Sequence, residues 1–538
     1  MLSYSRGPDA ALSERTIGEV FRETAARFRD RPAVVFRHQS VRLTYGELDA
    51  RVEETARGMA GLGLKPGDRV GVWATNCLEW ILLQLACART GMVLVNVNPA
   101  YRAWELRYLL NKSGIRALFL WERDGRADYR QILEEASAGR KTALEHVVFF
   151  GHRTWDAMLE RGRDYERPAI EADDVANIQY TSGTTGSPKG VLLTHRNLVN
   201  NGLLIAGNLR ATERDAICLP VPLYHCFGCV IGAMTAYNTG AAMIFPSAAF
   251  HALATLEAIE EEGATAIYGV PTMFIAELTH PDFGRFDLRS LRTGVMAGAP
   301  CPVEIMKRVM GEMHCAGITI AYGQTESSPV VTMSDVEDSV ELRVGTVGRA
   351  LPCTEMKIVS TETGETVEAG EQGEICARGY MVMKGYDGDA EATAKAVDGE
   401  GWLHTGDLGT MRPDGYFRVT GRAKDMIIRG GENIYPREVE EFLYTHPKVA
   451  DVQAIGLPDA RYGETVLAWI VLKGGEEATE EEIREFCRGK IAHFKIPQYV
   501  RFVEAFPMTV TGKIQKFRMR EIEIRERGLE RTAGMETA

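Results

Sequence analysis

From Thr44 to Val97 the chain alternates helix and strand, and this alternation restricts the fold more than any other feature of its 538 residues. Thr44 to Glu47 fits a Ser/Thr-x-x-Glu capping box, which satisfies two orphan backbone N–H groups reciprocally. Leu48, Val52, Met59 and Leu62 follow at helical spacing, and Gly63 with Pro66–Gly67 ends that helix. Arg69–Trp73 then reads as a strand, Glu79–Ala88 as a helix and Met92–Val97 as an apolar strand. Strand–helix–strand order implies parallel sheets covered by helices, an α/β fold.

A second such region is expected from about Val175 to Thr332. Its apolar strands, Ile178–Tyr180, Ala266–Tyr268 and Ile318–Tyr322, run into Gly-rich turns. Ligands of open α/β sheets bind beyond the carboxyl ends of strands, so chemistry is sought in those turns. Residues from Gly345 to Thr420 read as short strands and turns, such as Gly373–Arg378 and Gly415–Val419, a β-rich subdomain. After the Gly- and charge-dense stretch Gly421–Pro436 comes a compact unit. Helices are expected at Pro436–Tyr444 and Glu480–Lys490, and strands near Val449–Ile455 and Val466–Leu472. The boundary falls near Lys424, dividing residues 1–423 from 424–538. The charged segment after Arg520 reads as a solvated helix or frayed tail.

A net charge of −12 argues against nonspecific binding to nucleic acid or anionic membrane, since both select basic surfaces. No apolar run reaches the ~18–20 residues needed to span a bilayer. The best one starts at Trp80 and is broken at Arg89. Met1 to Ser13 lacks the apolar centre of a signal peptide, and ten scattered cysteines suggest a reducing compartment, so a cytoplasmic location is expected. Cys226 and Cys229 form a Cys-x-x-Cys pair. No second pair lies at zinc spacing and the flanks are apolar, so two small buried residues are expected rather than a redox or metal pair.

The densest chemical signal is Tyr180 to Gly190, Tyr-Thr-Ser-Gly-Thr-Thr-Gly-Ser-Pro-Lys-Gly. Three glycines, five hydroxyl residues and one lysine in eleven positions suit a phosphate cradle. Glycine admits close backbone approach, amides and hydroxyls donate, and lysine supplies charge. A strand is expected before it and a helix, His195–Leu204, after it. It is not a Walker A loop, because Pro188 precedes Lys189 and Gly190 follows it.

This segment resembles the signature loop of the adenylate-forming superfamily. Further motifs recur in that family's order: Ala321-Tyr-Gly-Gln-Thr-Glu326, Thr405-Gly-Asp407, Gly421-Arg-Ala-Lys-Asp425 and Pro507-Met-Thr-Val-Thr-Gly-Lys513. Pro222-Leu-Tyr-His-Cys226, Gly431-Glu-Asn-Ile-Tyr-Pro436 and His493-Phe-Lys-Ile-Pro497 are similar to medium-chain acyl-CoA synthetases of the family-member-2 type. The resemblance implies the adenylate-forming fold: a large N-terminal domain of two α/β subdomains and a β-rich subdomain, then a small mobile α+β C-terminal domain. It also implies ATP-dependent formation of an acyl-adenylate with pyrophosphate release, then acyl transfer to coenzyme A, with Mg²⁺ as cofactor.

Carboxylate and ATP are both anions, so their reaction requires cationic stabilisation. The resemblance gives that charge to Lys513 on the carboxylate and α-phosphate side. It gives Glu326 and Thr184 to Mg²⁺, and an α-phosphate hydrogen bond to Thr325. The loop residues Thr181, Ser182, Gly183, Thr184, Thr185 and Gly186, with Lys189, would hold the β- and γ-phosphates. Tyr322 would face adenine, with Gly298, Ala299 and Pro300 on its other side, and Gly323 and Gln324 complete the adenylate motif. Asp407 would accept from the ribose hydroxyls, with Arg422 nearby, while His225 lines the acyl site. Lys424 matches the hinge, and rotation there would bring Gly430 and Gly431 to a pantetheine tunnel.

Three readings compete: a CoA ligase, an adenylating enzyme that loads a carrier protein, and a non-catalytic nucleotide sensor. Intact Lys513, Glu326 and Asp407 weigh against the sensor, and no carrier domain is appended. Gly323, where acetate-specific relatives carry an aromatic, leads to the expectation of a deeper acyl pocket, for a medium alkyl, aryl or alicyclic acid. The partners implied are that acid, ATP and CoA, without nucleic acid or an integral membrane segment; a homodimer stays open.

Overall fold

The computed structural model describes residues 1–529 except 140–141, 182–187, 300, 423–424, 430–431, 460–461, 489, 492 and 510–512; the side chains at 422, 432 and 433 are likewise outside it. Four sheets form among the described residues. In the first, five strands run parallel in the order Val175–Thr181, Val93–Val97, Arg69–Trp73, Ile115–Leu120, His146–Phe149. Lys189–Thr194 and then Gly385–Tyr386 extend it antiparallel. The second sheet has six parallel strands: Gly317–Gly323, Thr293–Ala297, Ala266–Gly269, Ala216–Cys218, Ala242–Phe245 and Pro32–Phe36. Antiparallel strands close both of its edges.

The alternation is therefore correctly read as α/β, but the two sheets are not contiguous in sequence. Val175–Thr181, expected in the second region, belongs to the first sheet. Pro32–Phe36, from the first region, pairs in the second. Parallel strands are joined by long crossovers, so sequence neighbours need not be sheet neighbours.

Helix Leu78–Thr90 is buried along its whole length except Glu79 and belongs to the largest apolar core. Its all-round hydrophobicity is that of a central helix, not a bilayer span. Arg89, which breaks the run, is itself buried and ion-paired with Asp49 and Glu53. Among the described residues no helix is long and apolar enough to cross a membrane. The capping box at Thr44 is present, with Glu47 N donating to Thr44 Oγ1 at 3.2 Å and Thr44 N to Glu47 Oε2 at 2.8 Å.

The β-rich part is an antiparallel sheet of Thr354–Val359, Gly373–Gly379, Leu403–Met411 and Phe417–Arg422, with Tyr4–Arg6 from the N-terminus at one edge. Gly415, expected in a strand, instead has φ +83° in the turn before Phe417. The small C-terminal unit carries helices Pro436–Leu443 and Glu480–Cys487 on a sheet whose long hairpin is Val449–Asp459 and Gly463–Leu472. The segment after Arg520 is more than a solvated tail. Helix Lys516–Glu526 buries Met519 and Glu523, and Trp469 Nε1 donates to Glu523 at 2.6 Å.

Candidate active site

Strands Thr293–Ala297 and Gly317–Gly323 lie side by side and parallel, so Gly298 and Tyr322 emerge together at their carboxyl ends. Gly298 takes φ +84°, a conformation glycine reaches without penalty. The Tyr322 hydroxyl donates to Asp407 Oδ2 at 2.9 Å, which ties the second sheet to the β-rich sheet. Asp407 is buried, and its backbone pairs with Arg422. Its loop is braced from below: Asp407 N donates to Thr405 Oγ1 at 3.1 Å, Thr405 Oγ1 to Ile375 O at 2.7 Å, and Gly406 N to Glu374 Oε1 at 2.9 Å.

Thr325 and Glu326 open a short 3-10 turn directly after Gly323 and Gln324. The Tyr386 hydroxyl donates to Glu326 Oε1 at 2.8 Å, and Lys189 Nζ stands 4.9 Å from the centre of the same ring. Tyr386 thus links the acidic residue of one motif to the lysine of another. Thr181 pairs with Lys189, and the chain returns antiparallel along Lys189–Thr194. The expected helix is present as His195–Leu209, and the return strand Lys189–Thr194, not expected from sequence, precedes it.

His225 is joined to this array through its neighbour Cys226. Phe227 N donates to its Nδ1 at 3.2 Å, which leaves the ring proton on Nε2. Burial first, and then the Lys513 ammonium, push the imidazole down to about 4, so it is neutral at physiological pH. Cys226 Sγ lies 3.8 Å from Thr325 Oγ1, and burial raises its thiol to about 12. Cys229 accepts from Asn96 and Gln179. Both cysteines are buried free thiols, as expected. Beside Lys513, Met508 bridges Ile514, and Lys513 N donates to Thr509 Oγ1 at 3.0 Å. Its charge acts on both His225 and Cys226, so the C-terminal unit presents this lysine to the N-terminal site. Arg437, on helix Pro436–Leu443, donates to Val419 O at 2.7 Å across the same junction.

Tyr322, Gly323, Gln324, Thr325, Glu326, Asp407, Thr181, Lys189, Gly298, Ala299, His225 and Lys513 are thus described, on or beside one array. Ser182, Gly183, Thr184, Thr185, Gly186, Pro300, Lys424, Gly430, Gly431 and the Arg422 side chain lie outside the described residues. Gly323 needs a correction. A Cβ built there would lie 1.8 Å from the Pro329 carbonyl oxygen, so its open valence points into backbone, not into an acyl pocket. Tyr386 and Glu374 were not found in sequence; Tyr386 stands in a two-residue strand with no motif around it. Among the described residues Glu326 is held by a neutral hydroxyl rather than a cation, which suits a carboxylate that contacts Mg²⁺.

Two α/β sheets, a β-rich sheet and a small domain delivering a lysine define an adenylate-forming enzyme. The model of the AMP-binding enzyme family matches residues 21–387, and that of the AMP-binding enzyme C-terminal domain matches residues 438–513. The chain belongs to the AMP-binding enzyme family, among its acyl-CoA synthetases. A Bacillus subtilis protein, YngI, provisionally named an acyl-CoA synthetase, is 48% identical over 95% of this chain and 98% of its own. The human medium-chain acyl-CoA ligase ACSF2, mitochondrial, is 42% identical over 97% and 89%. In solved structures, the anthranilate CoA ligase AuaEII in complex with anthranoyl-AMP superposes with TM-score 0.88 at 27% identity, covering 95% of this chain and 98% of that one. ATP-bound MatB from Rhodopseudomonas palustris gives 0.84 at 29%, covering 95% and 99%. Acyl-CoA ligases of this family use ATP, Mg²⁺ and CoA.

Proposed function

We propose that the chain activates a medium-chain fatty acid, or a carboxylic acid of similar size, as its acyl-adenylate and then transfers the acyl group to CoA. The observation that carries the adenylation step is Lys513, whose charge, from the small domain, acts on His225 and on Cys226, the neighbour of Thr325. The acid class is supported by the relatives named medium-chain acyl-CoA ligases.

Lys513 neutralises the approaching carboxylate and the α-phosphate as the carboxylate oxygen attacks phosphorus and pyrophosphate leaves. Thr325 donates to the α-phosphate. Tyr322 packs on adenine while its hydroxyl orients Asp407 to accept from the ribose. Glu326, with Thr184, would hold Mg²⁺, which when bound would neutralise phosphate charge. His225, neutral and partly buried, lines the acyl side without adding a competing cation. The boundary at Lys424 is the hinge. Rotation there withdraws Lys513 and brings Gly430 and Gly431 to the thiol path. The cytoplasm is the compartment this reading favours, supported by ten free thiols.

The test is CoA-dependent pyrophosphate release across straight-chain acids of two to sixteen carbons, with benzoate and cyclohexane carboxylate alongside. A maximum at six to twelve carbons is expected. A maximum on the ring acids would transfer the assignment to an aryl or alicyclic substrate, and acylation of a carrier protein but not CoA would sink the ligase reading.

A further inference from the structure

A second chemical cluster lies under the ribose loop. Strands Gly373–Gly379 and Leu403–Met411 run antiparallel with Cys376 directly opposite His404. Glu374 is two residues from Cys376, so strand alternation puts both on the same face as His404. His404 Nδ1 is 2.9 Å from Glu374 Oε2 and 3.5 Å from Cys376 Sγ, and the three donor atoms all lie within 4.8 Å of one another.

We propose that Glu374, Cys376 and His404 form a binding site for a zinc-class divalent ion, separate from the Mg²⁺ that accompanies ATP. The donor set selects the metal. One thiolate, one imidazole and one carboxylate match zinc or cobalt, whereas Mg²⁺ takes oxygen ligands and avoids sulfur. The Cys376–His404 spacing agrees: bonds of about 2.3 Å to sulfur and about 2.0 Å to nitrogen at a tetrahedral angle separate those two ligands by roughly 3.5 Å.

The surrounding contacts are those that metal ligands require. A metal-bound histidine gives its other ring N–H to a carboxylate, and His404 Nε2 lies 3.5 Å from Asp398 Oδ2. A ligating carboxylate is itself hydrogen-bonded, and Glu374 Oε1 accepts from Gly406 N at 2.9 Å. Cys376 is fully buried while Glu374 and His404 are partly exposed, so the ion enters from the His404 side. Metal binding as the thiolate releases the Cys376 thiol proton to solvent. The ion would fasten Glu374, and through it the Gly406 amide, and so stiffen the turn that carries Asp407.

The experiment uses the full-length protein, stripped with chelator and titrated with Co²⁺. One equivalent should bind with a thiolate-to-cobalt charge-transfer band, in the wild type and in the control Cys353→Ser. Cys376→Ser and His404→Gln should lose both the band and the equivalent. Zn²⁺ should raise Tm in the wild type and not in these two variants, and excess Mg²⁺ should not displace Co²⁺. Cadmium-113 NMR on the unmutated protein covers the case in which a variant fails to fold, because it reports the donor set directly. A resonance with one sulfur donor is expected. An all-oxygen resonance, no stoichiometric Co²⁺ in the wild type, or equal binding by the variants would overturn the site and leave the cluster as a hydrogen-bonded brace.

Discussion

The Tyr322 hydroxyl donates to Asp407 Oδ2 at 2.9 Å, joining residues 85 positions apart on two different sheets. A nucleotide whose base packs on Tyr322 and whose ribose meets Asp407 is read by one connected unit. A hydrogen bond to a charged group is worth about 1.5–3 kcal/mol, or roughly ten-fold and upward in binding. Tyr322→Phe keeps the ring and removes the donor. It should raise KM for ATP about ten-fold and change kcat little, while KM for the acid stays put. Initial-rate kinetics with ATP varied decide this; an equal fall in kcat would mean that the hydroxyl serves chemistry rather than the ribose.

Lys513→Ala should lower adenylation by at least ~10²-fold, the scale of losing one preorganised charge donor. Conversion of supplied acyl-AMP and CoA to thioester should survive much better. The same substitution has a titration signature. Burial and Lys513 both depress the His225 imidazole to about 4, and only the second cause is removed. The pKa should rise yet stay below the ordinary histidine value of about 6.5, as read by NMR on labelled histidine. Equal loss in both half-reactions, or an unmoved His225, contradicts the arrangement.

The local pieces of this site were legible because each has a local physical cause. The capping box at Thr44, the apolar strand ending at Tyr322 and the run of hydroxyls and glycines after Tyr180 each carry their signal within a dozen residues. What could not be read depends on partners distant in sequence. Val175–Thr181 reads equally well as a strand of either sheet, and its place is fixed by pairing with Val93–Val97 some 80 residues earlier. Tyr386 meets Glu326 only because Gly385–Tyr386 adds to the edge of the Lys189–Thr194 hairpin. Gly323 was read for the space its missing side chain leaves, but the direction of that space is set by Pro329, behind a bulge invisible in sequence.

Glu277 is fully buried, and among the described residues neither carboxylate oxygen has a hydrogen-bond partner. Burial raises its pKa well above the usual carboxylate value. A folded-state pKa above the unfolded one means the stabilising protonated form is fully populated in both states only below about pH 4.5. Above that, the folded state binds more protons, and stability falls by up to about 1.4 kcal/mol per pH unit until the folded pKa is passed. Glu277→Gln removes the titration. Its Tm should exceed the wild-type value by more at pH 8 than at pH 5, in parallel melts at one scan rate. A difference independent of pH would mean that Glu277 is already ionised and paired.

Gly323 makes the last forecast, and it reverses the expectation drawn from the family resemblance. If its missing side chain opened onto the acyl pocket, a large residue there would shorten the acids accepted. The backbone at Gly323 has φ +156°, and an added Cβ would fall 1.8 Å from Pro329 O and 2.9 Å from Pro329 C. That is backbone, which cannot swing aside as a flexible side chain can. Even Gly323→Ala must therefore displace the segment from Gln324 to Ser327, including Thr325 and Glu326, before any substrate carbon is touched. The expected result is a fall in kcat/KM of at least about ten-fold for Ala, and a larger one for Trp. For each variant the fall should be the same, within about three-fold, for acids of four, eight and twelve carbons. Folding is checked by circular dichroism and ATP binding by calorimetry. A variant that spares butyrate while losing dodecanoate would show that the turn yields and the side chain reaches the pocket, restoring Gly323 as its floor.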